Sequence, residues 1–287
     1  MSYGKHQSFY IKSNWINKGI MAISQFGPNF FFDVENYKEI GLGKNMFQSL
    51  KYWLEATNIV EIQNQNHIFT TFGEFVRDKD PGCIKPFTLL LTHYFLVCEF
   101  KPNNIEKSSA FFWYFNVNRE QISRKEKLLE NLTNWDAKNS IRATSINTLN
   151  RDLECIISTY TKNHMVHPED KNTSLLSSLN LIKIQDNFNM KNSINSKYID
   201  LDAIMYILLK MNETNKITSL NSLLDEIDSP GRIFNISRSE MIEIIENMIA
   251  QEYPIQISRT NNLDTIIITS MYNASDFLNI KISGGNL

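Results

Sequence analysis

Two runs decide the fold: Gly43-Lys44-Asn45-Met46-Phe47-Gln48-Ser49-Leu50-Lys51-Tyr52-Trp53-Leu54-Glu55-Ala56-Thr57 and, just after it, the stretch from Ile59 to Thr71. In the first, Met46, Leu50, Trp53 and Leu54 fall at i, i+4, i+7 and i+8, the spacing of one helical face. In the second, Ile59 to Gln63 and His67 to Thr71 read as short strands around the polar turn Asn64-Gln65-Asn66. A helix followed by a β-hairpin is how a winged helix-turn-helix ends. Residues 1–80 are therefore predicted to form a winged-helix-like DNA-binding domain.

With Met46, Leu50 and Trp53 inward, Lys44, Gln48, Lys51 and Glu55 form the outer stripe, with Asn45 and Tyr52 beside it. Lysines neutralise phosphate, and Gln or Asn can pair with adenine in the major groove. The helix N-terminus adds free N–H groups and a partial positive charge. The same stripe also fits a solvated polar face, because the pattern fixes the helix and not its partner.

The C-terminal third repeats the pattern. Ile199 to Met211, Ser219 to Ile227 and Arg238 to Ala250 are predicted helices. The turn Ser229-Pro230-Gly231 separates the last two. Met241, Ile245, Met248 and Ile249 are expected inward. Ile255 to Ser258 and Thr265 to Thr269 then alternate as a hairpin around Asn261-Asn262. Here the outward stripe is Glu240, Glu243 and Asn247, with Glu246 at its edge. Span 200–260 carries five basic and ten acidic residues, a net charge of −5, which repels a phosphate backbone. This acidic winged-helix-like domain, 196–287, is expected to contact protein or serve as a packing unit. The tail after Asp276 gives no reading.

Residues 81–195 are expected to form a helical middle domain. Thr88 to Glu99 reads as a buried helix. Ser145 to Tyr160 reads as a second, with Ser145 as N-cap and Ile146, Leu149, Leu153, Ile156 and Tyr160 on one side. Pro168 to Ser196 reads as a loop holding one short strand, Leu181 to Gln185. No internal repeat of 20–50 residues is visible. The expected class is mainly α (α+β), with winged-helix domains at both ends.

The chain has 287 residues, 42% hydrophobic and 21% charged, which excludes a mostly disordered protein. Its net charge of −2 gives no global field to attract nucleic acid, so DNA contact needs a local patch. Cys83, Cys98 and Cys155 are widely spaced and odd in number, which argues against a disulfide framework. Met1 to Lys18 has no apolar signal core, and the most apolar run, Phe87 to Val97, is far shorter than a span. A reduced, soluble, cytoplasmic protein is expected.

Other motifs carry less. Gly41-Leu42-Gly43-Lys44-Asn45 lacks the spacing and the hydroxyl residue of a phosphate loop, and reads as a tight turn. His164-x-x-His167 with Glu169 and Asp170 could ligate a metal, but no third ligand position is fixed. His6 sits near the N-terminus beside Phe9. His93, inside an apolar helix, reads as a satisfied core histidine. Asp33, Glu35, Glu39, Asp78 and Asp80 are available for carboxylate chemistry, although Asp80-Pro81 is more simply a turn former. No covalent nucleophile can be assigned.

Several blocks carry a family resemblance. Tyr3-Gly4-Lys5-His6-Gln7-Ser8-Phe9 and Asn14-Trp15-Ile16-Asn17-Lys18-Gly19 resemble an opening of the form G-H-x-T-F-x-x-R then W-L-x-K-G. Ile40-Gly41-Leu42-Gly43-Lys44-Asn45-Met46, with Lys51-Tyr52-Trp53, resembles its L-G-x-G-K-N-M block. Asp80-Pro81, Thr88-Leu89, His93-Tyr94, Trp113, Phe115-Asn116 and Ser229-Pro230-Gly231 with Phe234 resemble later, looser blocks. The family is the SspB-type component of DNA phosphorothioation defence operons, which replace a non-bridging phosphate oxygen with sulfur.

The resemblance implies a DNA-engaging or DNA-nicking subunit. Its partners would be a cysteine desulfurase, an ATPase and a sulfur-transfer enzyme, and Mg or Mn would be the metal if it nicks DNA. The family's opening Arg is Lys12 here, which keeps the charge but loses bidentate geometry. Lys12 thereby joins Lys44, Asn45, Gln48, Lys51 and Tyr52 as an expected DNA contact. The alternatives are a non-enzymatic adaptor between DNA and the modification proteins, or a winged-helix transcriptional regulator.

Overall fold

The computed structural model describes residues 1–98, 108–161, 173–260 and 263–285. Glu99, His164, His167, Glu169, Asp170 and the turn Asn261-Asn262 lie outside the described residues. The class is mixed α and β. A continuous buried core runs from Ile11 through Leu50, Leu91, Leu153 and Leu208 to Leu278.

The N-terminal part holds α1 (Trp15–Phe26), two 3-10 turns (Phe30–Phe32 and Val34–Lys38), α2 (Lys44–Ala56), β1 (Val60–Gln63), β2 (Asn66–Phe69) and α3 (Thr71–Lys79). Helix α2 and its hairpin thus lie within two residues of the expected bounds. Asn64 and Gln65 take φ values of 48° and 58°, a two-residue turn whose twist suits a hairpin. This sheet has two strands. The chain ahead of α2 is wound into 3-10 turns, and a single bond from His67 N–H to the Pro28 carbonyl, 2.7 Å, lies where a third strand could pair.

Two glycines allow backbone to approach closely. A Cβ on Gly19 of α1 would lie 2.5 Å from Leu54 Cδ1 of α2. A Cβ on Gly73 of α3 would lie 1.9 Å from the Ile59 carbonyl oxygen. Alanine normally favours a helix interior over glycine by about 1 kcal/mol. Gly73→Ala should do the reverse and cost about 2–3 kcal/mol, because the obstacle is backbone. Urea unfolding checks this, and unchanged stability would contradict the packing.

The middle contains α4 (Pro86–Val97), α5 (Ser109–Phe112) running into a π turn (Trp113–Val117), β3 (Ile122–Arg124), α6 (Lys125–Asn139) and α7 (Ile146–Tyr160). A 3-10 turn (Leu175–Leu179), β4 (Ile182–Gln185) and β5 (Phe188–Lys191) follow. The strand expected at Leu181 to Gln185 is β4, and the largely helical middle holds more sheet than expected: β3, β4 and β5 form an antiparallel sheet of order β3-β5-β4. Its hairpin turns at Asp186-Asn187, with φ of 50° and 65°. In α7 the Ser145 hydroxyl accepts from Thr148 N–H, as expected of an N-cap. Ile146, expected inward, is 59% exposed because the first turn projects beyond the core.

The C-terminal part runs α8 (Leu201–Met211), β6 (Ile217–Ser219), α9 (Leu220–Asp225), α10 (Pro230–Ile233), α11 (Arg238–Ala250), β7 (Ile255–Thr260), β8 (Leu263–Ile268) and α12 (Ala274–Ser283). Its sheet order is β6-β8-β7, so the strand, helices and hairpin plan of the middle recurs. The uninterpreted tail is helix α12, which packs on α3 and α8 and ties the chain's end to its N-terminal part.

Every residue of α4 from Phe87 to Val97 is buried, as an all-round apolar helix requires. No described helix is long and apolar enough to cross a membrane. His93 is satisfied on both nitrogens. Nε2 donates to the Ile233 carbonyl at 2.9 Å, so Nδ1 accepts from the Tyr160 hydroxyl at 2.7 Å. Burial pushes its pKa down to about 3, and the bond to Ile233 opposes that only partly.

The folded pKa lies below the unfolded value of about 6.5. Between them the unfolded chain binds the extra proton, so stability is full above about pH 6.5 and falls as pH drops. Thermal unfolding from pH 8 to 5 should show a loss of up to about 1.4 kcal/mol per pH unit below pH 6.5. A flat profile in that window would contradict a neutral buried His93.

Candidate nucleic-acid interface

Helix α2 buries Phe47, Ser49, Leu50, Trp53, Leu54 and Ala56. Phe47 packs on Phe30 and Phe31, with ring centroids 5.8 and 5.0 Å away. The buried arc is wider than the expected stripe. Phe47 and Ser49 are fully inside, while Met46 is half-buried against the core.

The chain's opening residues strap across this helix. His6 Nδ1 accepts from Ser8 N–H at 3.0 Å, which leaves Nε2 to donate to Asp152 Oδ1 at 2.7 Å. Asp152, on α7, also accepts from Gly4 N–H at 2.9 and 3.1 Å. The His6 carbonyl accepts from Ser49 Oγ at 2.9 Å, and the Phe9 carbonyl accepts from Trp53 Nε1 at 3.1 Å. Gly4 to Phe9 therefore join α2 to α7, and their work is to position α2. Asp152→Ala should cost about 3 kcal/mol by leaving His6 and Gly4 N–H unpaired. Denaturant unfolding tests it, and a cost below about 0.5 kcal/mol, the range of ordinary surface changes, would contradict it.

The outer face divides in three. Lys44 and Asn45 are exposed at the helix N-terminus, beyond Gly43. Gln48 and Lys51 are half-exposed, and Lys51 Nζ lies 4.2 Å from the Phe32 ring centroid. Tyr52 turns inward. Its hydroxyl bonds Ser108 Oγ at 2.9 Å, and burial pushes the phenol's pKa far up. Glu55 faces the buried His67 at 3.2 Å. Lys12 is half-buried, with Nζ 5.6 Å from the Trp15 ring centroid, and its backbone bridges Ser174. Lys44, Asn45, Gln48 and Lys51 thus share one helix, and Lys12 stands on a separate segment.

Of the candidate acids, Asp33, Glu35, Asp78 and Asp80 are committed elsewhere, and Glu39 is exposed. Lys38, hydrogen-bonded to Glu35 at 2.7 Å, holds that carboxyl below its usual range, and Lys44 adds to the effect from farther off. Asp33 caps a 3-10 turn through Glu35 N–H. Asp78 pairs with Arg77 at 2.6 Å. Buried Asp80 accepts from Ile84 and Lys85 N–H, as a turn former should. Among the described residues no three His, Cys, Asp or Glu side chains converge to hold a metal ion.

The acidic face of α11 is partly paired. Glu240 closes a capping box on Ser237 and accepts from Ser193, and Glu246 pairs with Arg259 at 2.8 Å. Arg238 pairs with Asp264 at 2.9 Å. Glu243 and Asn247 remain exposed.

The DUF4007 profile, described as a protein of unknown function, matches residues 3–281. The chain belongs to the DUF4007 family. Two solved structures share the fold of this DUF4007 chain. One is titled "SspB crystal structure", with a TM-score of 0.86 and 19% identity, covering 98% of this chain and 86% of that one. The other is titled "Magnesium ion-bound SspB crystal structure", with a TM-score of 0.85 and 18% identity over the same shares. No curated protein matches the DUF4007 chain at a significant level. The sequence resemblance to an SspB-type family is thus matched by an SspB fold over nearly the whole chain.

Proposed function

We propose that this chain is the DNA-engaging, SspB-type component of a bacterial DNA phosphorothioation defence system. The observation that carries this reading is the SspB fold, matched over 98% of the chain. It agrees with an exposed helix end that offers Lys44 and Asn45, with Gln48 and Lys51 one and two turns on. Lys44 and Lys51 would neutralise phosphates, and Asn45 and Gln48 would face base edges. Lys12 would add a phosphate contact, whereas Tyr52 would steady α2 from within.

In this reading the N-terminal and C-terminal domains are winged helices flanking the middle. Residues 1–80 engage DNA, 81–195 form the middle domain, and 196–287 form the acidic end. The exposed Glu243 and Asn247 would meet a partner subunit, with the cysteine desulfurase, ATPase and sulfur-transfer enzyme as candidates. The full chain should bind duplex DNA with a steep loss of affinity as salt rises. Because lysines supply these contacts, binding should persist in excess EDTA. Electrophoretic mobility shift with and without chelator tests this, and binding that vanishes in EDTA would count against it.

Likeness to a magnesium-bound SspB structure supports a second reading, divalent-metal-dependent DNA nicking. The described residues offer no ready cage of three ligands, so no catalytic step is assigned to them. Incubation with supercoiled plasmid separates the two readings. Nicked product with Mg²⁺ or Mn²⁺ that is lost in EDTA supports the nickase, and intact plasmid under all conditions supports an adaptor.

A further inference from the structure

A second concentration of positive charge lies away from α2. A cleft of about 340 Å³ opens between the π turn and β5 on one side and α9 to α11 on the other. Arg119, Lys191, Arg232 and Arg238 line it, and Asp225 is the acid among its lining residues.

These cations are poorly neutralised. Lys191 is largely enclosed and donates to the Asn118 carbonyl, with its Nζ 5.4 Å from the Tyr114 ring centroid. Arg232 donates from Nη1 to the Asn116 carbonyl at 2.7 Å, and its buried Nε has no partner. Among the described residues neither Lys191 nor Arg232 has a carboxylate within ion-pair distance. Arg119 reaches the Asp225 carbonyl at 3.2 Å and its carboxylate only at 3.8 Å. Arg238 alone is well paired, on Asp264.

Asn118 adds a second signal. It is only 6% exposed, its Oδ1 accepts from Glu120 N–H, and its Nδ2 has no partner. The cleft therefore collects two buried donors without acceptors, Asn118 Nδ2 and Arg232 Nε, and two half-buried cations without a paired carboxylate, Lys191 and Arg232, with the exposed Arg119 also lining it. Each is costly in isolation, and both deficits are met by one kind of ligand, a compact oxyanion with several acceptor atoms. Burial, aided by Arg119, pulls Lys191 down to about 8, and a bound anion would reverse that shift.

We propose that this cleft is a phosphate-binding site, with Lys191, Arg119 and Arg232 as its charged ligands and Asn118 as a neutral donor. The volume exceeds a lone phosphate ion, so the group would arrive attached to a larger molecule, either a DNA backbone or a soluble phosphorylated compound. The DNA source rests on the function proposed above; the phosphate site itself does not.

The test titrates inorganic phosphate into the full chain by calorimetry. Wild type should bind it saturably at one site, with Kd of about 1 mM or tighter. Lys191→Met and Arg119→Gln should each weaken binding by about tenfold; Arg119→Gln should leave the thermal midpoint unchanged, while Lys191→Met, which also releases the Asn118 carbonyl, should lower it but stay folded. Arg232 is left intact because it also holds the Asn116 carbonyl. Lys79→Ala, exposed at the end of α3 and outside the cleft lining, should leave phosphate affinity unchanged. Added duplex DNA that displaces the phosphate identifies a backbone as the source; a mononucleotide that displaces it where duplex does not identifies a soluble ligand. Absence of saturable binding by the folded wild type, or folded Lys191→Met and Arg119→Gln variants that bind as wild type does, overturns the proposal.

Discussion

Trp53→Ala is expected to destabilise the protein by roughly 3–5 kcal/mol, enough to unfold a marginal domain at ambient temperature. Trp53 is 0% exposed. Its indole meets Phe111 edge-on at 5.7 Å and Tyr52 at 5.0 Å, and stacks near His6 at 6.5 Å. Its Nε1 also holds the Phe9 carbonyl of the N-terminal strap. Alanine would leave a large cavity and an unpaired carbonyl together. Trp53→Phe should recover most of the packing and lose the hydrogen bond, about 1 kcal/mol. Urea unfolding by circular dichroism checks both. A Trp53→Ala cost below about 1 kcal/mol would mean that α2 is not anchored as described, since a large-to-small core change leaves a cavity.

The second large effect is on DNA. Lys44→Ala with Lys51→Ala removes two cations from one helix face. If both meet phosphates, the slope of log K against log salt should fall by about 1–2 units. Lys44 stands exposed, so its loss should be nearly silent for stability. Lys51 sits on the Phe32 ring at 4.2 Å, so its loss should cost about 0.5–1 kcal/mol. That small cost leaves the protein folded, and lost binding then reports on contacts rather than on unfolding.

Legibility in the sequence followed the range of the interaction. Helix α2 and the C-terminal helices and hairpin were readable because periodicity and turn residues are local signals. So was Ser145, whose cap needs only its own helix. Helix α12 carried a local signal too, Asn273-x-x-Asp276 closing a capping box ahead of Phe277 and Leu278. In α1, Trp15, Ile16, Gly19, Ile20 and Ile23 form a buried helical face that was equally available. Phe188 and Met190, two residues apart just after the turn Asp186-Asn187, mark the missed strand β5.

The site was less legible. Tyr52 looks like a surface neighbour of Lys51 until Ser108, far along the chain, is seen to take its hydroxyl. Asp152 is an acid in the apolar stripe of α7, and that misplacement hints at a buried partner, but only the fold shows that the partner is His6. Lys191, Arg119 and Arg232 come from three separate segments, and no spacing announces their cleft. Long-range pairing is what a single sequence conceals.

The central claim is that α2 engages DNA through phosphates. The most direct measurement is the affinity of the full chain for a duplex across a salt series, for wild type and for Lys44→Ala with Lys51→Ala, with thermal unfolding run in parallel. The account predicts a folded variant that binds more weakly at every sequence and whose salt slope is shallower by about 1–2 units. A folded variant with wild-type affinity and wild-type slope would contradict it.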